Sequence, residues 1–388
     1  MAGKRWQVEL SKRKANQSYR TLGNFNPELI DFSSNDYLGL SKSIELKKRI
    51  EAQVQKLRTG NVNGASGSRL LTGNYPLLEE SEHYLAQHFN SESGLIFQSG
   101  YMANLAVLSA LPGRGDTVLY DEQAHACMKD GIRLSAATRF PFLHNDLNDL
   151  EKKLNKAKGN IFVVVESVYS MDGDVCPLAE LVRLCAPYDA AIIVDEAHST
   201  GLFGPGGRGL VNHLDLQDKI TACVYTFGKA MGVHGAFVAC HEQVKNYLIN
   251  FSRPFIYTTA PDAHTPIGMT ESVKLIVENP QWEETLNHNI QYYRKRLNKN
   301  DALPTYSAIQ SFLAPGNAQA RQAAQFLTEA GFDIRPILAP TVKEGTERLR
   351  IILHRYNTTQ EIDALTDLLL SKKLQIDITL ARACIQSC

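Results

Sequence analysis

Between residues 75 and 240, short apolar runs rich in β-branched residues alternate with longer stretches of helical periodicity. The runs are GLIFQ (94–98), TVLY (117–120), IFVVVE (161–166), AIIVD (191–195), ACVYTF (222–227) and AFVAC (236–240). Helix-length segments such as 101–111, 147–157 and 177–187 separate several of them. A strand that is apolar throughout, rather than at every second position, must be covered on both faces. Such strands, separated by helices, predict an α/β fold with a mainly parallel sheet between two helical layers. In sheets of this kind, ligands bind outside the carboxyl ends of the strands. Unusual polar residues gather there. Asp195 closes one run, Ser170 follows another, and Gln98, Ser99 and Gly100 follow a third.

Outside this rhythm the pattern changes. Residues 4–20 predict a short amphipathic helix, and GNVNGASGSRLLTGN (60–74) reads as a loop. Helical patterns dominate 262–300. Beyond 300, QSFLAP, a helix near 317–330, RLRIIL (348–353) and a last helix near 359–371 predict a smaller α+β domain. The expected division is an N-terminal helix with short strands (1–45), a large domain (46–285) and a small C-terminal domain (286–388). Forty-one basic residues balance forty-one acidic ones, which argues against nucleic-acid binding through phosphate contacts. MAGKRWQVELSKRK at the start has no apolar core of a signal peptide. No run of eighteen apolar residues is present, so no membrane span is expected. A cytoplasmic protein is the default expectation. Seven cysteines include no CxxC pair, so neither a disulfide framework nor a zinc knuckle is indicated. Most should be buried thiols, with Cys384 and Cys388 on a tail.

The stretch AIIVDEAHSTG (191–201) admits two chemistries. In a nucleotide-driven motor, the acidic pair after the strand would hold magnesium beside a GxxxxGK[ST] phosphate loop. The only Gly-Lys pairs are Gly3-Lys4 and Gly228-Lys229, and neither sits in such a loop. No GxGxxG follows the first strand either. In a pyridoxal-phosphate enzyme, a strand-end carboxylate would face a ring nitrogen, a lysine would carry the cofactor, and main-chain amides would hold the phosphate. Candidates for all three are present. TFGKAMGVHGAF (226–237) sets Lys229 among small and apolar residues with no neighbouring charge. Desolvation there would lower the amine's pKa and make it a nucleophile. Read locally, a lysine in a surface turn is an equal alternative. GLIFQSGYMANLAVLSAL (94–111) supplies a strand, Ser99-Gly100 and a helix whose first amides could bind an anion, as many strand-to-helix turns could.

The ordered set FSSNDYLGL (32–40), GASGSRLLTGN (64–74), FQSGYMAN (97–104), DEQAHAC (121–127), ESVYSMDGD (166–174), VDEAHSTGLFGPGGRG (194–209), TFGKAMGVHGAF (226–237), SRPFIYTTAP (252–261) and PTVKEGTERLRI (340–351) resembles the α-oxoamine synthases. These are fold-type I pyridoxal-phosphate enzymes that condense an amino acid with an acyl thioester and release carbon dioxide. The resemblance runs from about residue 30 to 370. It implies a large domain with a mainly parallel seven-stranded sheet and a small α+β C-terminal domain. FSSNDYLGL, GSRLLTGN and the IRP…PTV..GT.RLR ending (334–350) favour the member of biotin biosynthesis that joins L-alanine to a pimeloyl thioester. The thioester is carried by coenzyme A or acyl carrier protein. Members that use glycine with an acetyl thioester or serine with a palmitoyl thioester are the alternatives.

The resemblance also implies roles. Lys229 carries the cofactor covalently and moves the substrate's Cα proton. Asp195 faces the pyridine nitrogen and His198 donates to the ring's phenolic oxygen. His125 stacks on the ring and approaches the substrate carboxylate. Ser170 and Thr226 hydrogen-bond the cofactor's oxygen or phosphate. Ser99, Gly100 and Tyr101 line the phosphate and ring edge. Thr258 and Thr259, of which Thr259 is preferred, stand where a second subunit contacts the phosphate. That implies a homodimer with shared active sites. Arg350 grips the amino acid's carboxylate through its planar fork, with Arg348 as the fallback. Asn35 contacts substrate, and Arg20, or else Arg13, meets the far end of the acyl group. Without the resemblance, Asp195 would read as a cap, His125 as structural, and the two hydroxyls as turn residues. ILHRYNTTQE (352–361) and PILAP (336–340) depart from the family's pattern, and the tail beyond 373 has no counterpart in it.

Overall fold

The computed structural model describes residues 3–16, 18–23, 26–57, 63–297 and 305–371. It divides into two compact units, one of Leu38–Ser170 with Val175–Glu284, the other of Met1–Tyr37, Met171–Asp174 and Thr285–Cys388. The described strands, in chain order, are β1 (Ile30–Asp31), β2 (Ser93–Phe97), β3 (Thr117–Asp121), β4 (Thr138–Phe142), β5 (Ile161–Glu166) and β6 (Ala191–Asp195). They continue with β7 (Ala222–Thr226), β8 (Ala236–Cys240), β9 (Ile309–Leu313), β10 (Phe332–Asp333), β11 (Arg335–Ile337) and β12 (Arg348–Ile352).

The larger unit holds a seven-stranded sheet in the order β2-β8-β7-β6-β5-β3-β4. β4, β3, β5, β6 and β7 pair in parallel. β8 alone runs against its neighbours β7 and β2. Six of the seven strands coincide with the apolar runs of the sequence. The seventh, β4, is TRFPF, with its first four residues exposed. It is an edge strand open to solvent, unlike the buried edge strand β2, so it carries no apolar run, and Pro141 limits further pairing there.

The sheet's core follows from the same pattern. Val164, Ile193, Val224 and Val238 are fully buried against Ala103, Val107, Met128 and Ile132 of the covering helices. Each large side chain so buried contributes roughly 1.5–3 kcal/mol. The helix Gly100–Ala110 has apolar residues all round, which fits an element enclosed by protein. It starts where Ser99 Oγ accepts the Met102 N–H at 3.3 Å.

In the smaller unit β11, β12 and β9 form an antiparallel sheet, and β1 pairs in parallel with β10. The helices Asn317–Glu329 and Thr359–Leu369 belong to it. The second begins with a capping box between Thr358 and Glu361. The tetrapeptide 171–174 belongs here because Asp172 pairs with Arg348 and accepts Ser311 Oγ–H at 3.0 Å. The N-terminal helix spans Gly3–Ala15, shorter than expected. Cys127, Cys176, Cys185, Cys223 and Cys240 are buried free thiols; Cys384 and Cys388 lie outside the described residues. Among the described residues no helix is long and apolar enough to cross a membrane.

Candidate active site

The carboxyl ends of β2, β5, β6 and β7, with the turn that leads back into β8, surround one cavity. Ser99, Gly100 and Tyr101 form one wall, and His125, Asp195 and His198 another. Thr226, Lys229, His234 and Gly235 close it. Eight of the expected site residues therefore meet in one place.

Each is set there by its strand. β6 ends in Asp195, 4% exposed, with His198, 5% exposed, in the turn that follows. Asp195 Oδ1 accepts the Ala197 N–H at 2.7 Å, and Oδ2 accepts the Asn104 side-chain amide at 2.6 Å. Two donors, one on each oxygen, fix the orientation of the carboxylate. Lys229 follows β7 and is half-buried in a tight turn closed by Gly232 N–H to Lys229 O at 2.9 Å. His125 caps the helix Ala126–Leu134, its ring Nδ1 accepting the Cys127 N–H at 3.3 Å. Burial chiefly, with Lys229 and Lys129, lowers the imidazole's pKa against the pull of Asp195. The His125 ring is therefore neutral at physiological pH.

The expected set lacks four polar neighbours, Asn104, Glu166, Cys127 and His234. Asn104 is a polar residue in an otherwise apolar helix, four positions after Gly100. Glu166 closes β5 as Asp195 closes β6, and the same strand-end argument would have found it. Cys127 lines the cavity with its Sγ 3.0 Å from His125 Nδ1. Burial first, then Asp195 and Glu166, push its thiol up to about 12, so it stays protonated.

The cavity fits pyridoxal phosphate. The Thr226 hydroxyl is buried and unpartnered, as is the Asn104 carbonyl oxygen. Gly100 lies so close to β7 that a Cβ on it would stand 2.5 Å from Thr226 Cγ2. A side chain is excluded, and the first amides of the helix Gly100–Ala110, which have no intrahelical partners, remain open to an anion. A carboxylate, an amine and an anion cradle are the donor set this cofactor requires.

The remaining expected residues stand elsewhere. Ser170 is half-buried in the turn after β5 and does not line the cavity. Thr258 and Thr259 do not line it either, although the Gln98 amide donates to the main-chain oxygen of Thr259. In the smaller unit, Arg350 Nη2 donates to Asn35 Oδ1 at 3.0 Å and Tyr37 O–H to the same oxygen at 3.2 Å. Arg348 is engaged by Asp172 and by Thr346 O at 2.8 Å. Arg20 is exposed, 3.4 Å from Thr341 Oγ1, and Arg13 is exposed on the N-terminal helix.

Residues 27–368 match the profile of aminotransferase class I and II. The 8-amino-7-oxononanoate synthase of Emericella nidulans is 38% identical over 361 residues, covering 87% of this chain and 88% of that protein. The crystal structure of 8-amino-7-oxononanoate synthase from Francisella tularensis aligns with a TM-score of 0.77 at 29% identity, over 91% of this chain and 99% of that one. The serine palmitoyltransferase of S. paucimobilis, solved with a bound PLP–myriocin aldimine, aligns with a TM-score of 0.85 at 26% identity, over 97% and 98%. The chain belongs to the aminotransferase class I and II family, and within it to the pyridoxal-phosphate-dependent α-oxoamine synthases.

Proposed function

We propose that the chain joins L-alanine to a pimeloyl thioester, giving 8-amino-7-oxononanoate, the free thiol of the carrier and carbon dioxide. The observation that carries this reading is the near full-length likeness to 8-amino-7-oxononanoate synthases. The strand-end cavity gives it the chemistry it needs. When bound, pyridoxal phosphate supplies an electron-accepting ring that makes the bonds at the amino acid's Cα easier to break.

The chain's residues do the rest. Lys229 Nζ would hold the cofactor covalently and would serve as the base for the Cα proton. Asp195, held by its two donors, would keep a proton on the ring nitrogen. His198 donates to the phenolic oxygen. The neutral imidazole of His125 lies against the ring. Thr226 and the amides of Gly100 and Tyr101 would take the phosphate, with Ser99 beside them. Arg350 holds the alanine carboxylate and Asn35 orients that arginine, while Arg20 meets the distal end of the acyl chain. The new bond joins alanine Cα to the thioester carbonyl carbon. The carrier leaves as a thiol, the carboxylate leaves as carbon dioxide, and a proton takes its place. A homodimer supplies Thr258 or Thr259 from the second subunit. The buried free thiols fit a reducing compartment, the cytoplasm.

A substrate panel tests this reading. Alanine, glycine and serine are each offered with pimeloyl-, acetyl- and palmitoyl-coenzyme A, and thiol release and product mass are read. Alanine with the pimeloyl thioester should give the highest kcat/KM. Turnover confined to glycine with the acetyl thioester, or to serine with the palmitoyl thioester, would overturn the assignment.

A further inference from the structure

The cavity holds two carboxylates where the reaction above uses one. β5 and β6 pair in parallel with Glu166 opposite Asp195. In-register residues on neighbouring strands point to the same face of a sheet, and both side chains line the cavity. Glu166 is 2% exposed and Asp195 4%. Two negative charges on adjacent buried strand ends do not both persist without compensation.

The donors decide which one is charged. Asp195 receives the Asn104 amide and the Ala197 N–H, one on each oxygen. Glu166 receives the main-chain N–H of His125 on Oε1, at 2.7 Å. Its other oxygen is the one placed to carry a proton. The groups facing Glu166 come from several elements. They are Asp195 from β6, Asp121 from β3, Lys229, the His125 amide, and Cys127 and Lys129 from the helix Ala126–Leu134. Burial first, then Asp195, push the Glu166 carboxyl up to about 8, against Lys229 and the His125 N–H.

We propose that Glu166 is a positioning residue that keeps its own proton. As the neutral member of an in-register carboxylate pair, it leaves the negative charge on Asp195 and anchors the helix start that carries His125. This rests on reading the cavity as a pyridoxal-phosphate site. Deprotonation of Glu166 would place a second negative charge beside Asp195 in the cavity, where a bound cofactor would have to accept electron density.

The test compares parent enzyme, Glu166→Gln and Glu166→Ala. Glutamine keeps a carbonyl acceptor for the His125 N–H and cannot ionise. The apo parent should show the infrared carbonyl stretch of a protonated carboxylic acid at neutral pH. Glu196, pushed up to about 7, contributes to the same region, so the part that belongs to Glu166 is the parent-minus-glutamine-variant difference, and that difference should vanish as pH rises through the titration of Glu166. In the holoenzyme, kcat/KM of the parent should fall about tenfold per pH unit on an alkaline limb that Glu166→Gln lacks. Glu166→Ala leaves the His125 N–H unsatisfied and should lose about tenfold more kcat than Glu166→Gln at neutral pH. Absence of that difference at neutral pH, the same alkaline limb in Glu166→Gln, or equal losses in both variants would each overturn the proposal. If neither variant folds, the part of the parent's band that persists above the titration of Glu196, near 7, and is lost toward about 8 decides alone. The Glu166 band present with no turnover of alanine and pimeloyl thioester would sink only the substrate assignment. The Glu166 band missing with that turnover intact would sink only the role of Glu166.

Discussion

Arg348 and Arg350 are two residues apart on β12, and the sequence offered no way to choose between them. Side-chain alternation places both on one face of the strand, and neither flanking residue differs in a telling way. The fold separates them by partner. Arg348 is 6% exposed and paired with Asp172, with a second bond to Thr346 O. Arg350 is half-buried and reaches Asn35, beside the buried Tyr37, whose hydroxyl is pushed up to about 12 by burial against the pull of Arg350. The two alanine variants should therefore fail differently. Arg348→Ala leaves the half-buried Asp172 without its cation and with only the Ser311 hydroxyl as donor, and should cost about 1–3 kcal/mol of stability. Arg350→Ala removes a charged hydrogen-bonding fork and should raise KM for the amino acid roughly ten- to hundredfold with a smaller change in melting temperature. Thermal melts and amino-acid saturation curves on both variants check this. A raised KM in Arg348→Ala with a normal melt would move the carboxylate contact to Arg348. The same scale shows why Asp195 and Lys229 were legible and Asn104 was not. The first pair belongs to motifs with an odd residue in an apolar or small setting. Asn104 acquires meaning only when the helix Gly100–Ala110 lies across β6 and hands its amide to Asp195.

Elements that bury both faces announce themselves in the sequence, the edge strand β2 included, and elements open to solvent do not. β5, β6, β7 and β8 are buried along their whole length apart from Ala191, so each reads as an apolar run. β4 keeps one neighbour, β3, and its exposed TRFP could not be told from a turn. The glycine-rich segment after DEAH is a third kind of element, legible as a loop but not as a built one. Glu196, fully buried, accepts the main-chain N–H groups of Leu210 at 2.8 Å and Val211 at 2.7 Å, and pairs with Ser199. It therefore ties the loop's end to the turn that carries His198. Gly209 makes this possible. Its φ is +90°, and a Cβ there would stand 2.4 Å from Glu196 Oε2. Gly209→Ala should destabilise the protein by about 1–3 kcal/mol through backbone strain, and by more if the carboxylate is displaced. A melting temperature equal to the parent's would show that the loop relaxes without loss. Gly115→Ala, where a Cβ meets nothing within 4 Å at a φ of +94°, is the control for strain alone.

For the molecule as a whole, buried ionisable groups pull stability in opposite directions with pH, and the sum is best read by difference. His88 is held down to about 4, by burial and then Arg208. Because the folded state resists its protonation, stability rises with pH between about 4 and its ordinary 6.5. Glu166 does the reverse. Its folded value near 8 lies above the ordinary 4.5, so between those limits the folded chain binds a proton that the unfolded chain has released. Stability from this group is fully present below about 4.5 and is lost as pH rises toward about 8. Glu196, pushed up to about 7 by burial against its donors, acts in the same sense over a narrower window. The parent's own curve mixes these slopes, so its shape does not isolate any of them. Glu166→Gln removes one alone. In apo-protein, the melting temperature of the variant minus that of the parent should grow steadily from about pH 4.5 to 8 and level off above. A difference that stays constant across that range would mean that Glu166 is charged in the fold, and that the site tolerates both strand-end charges at once.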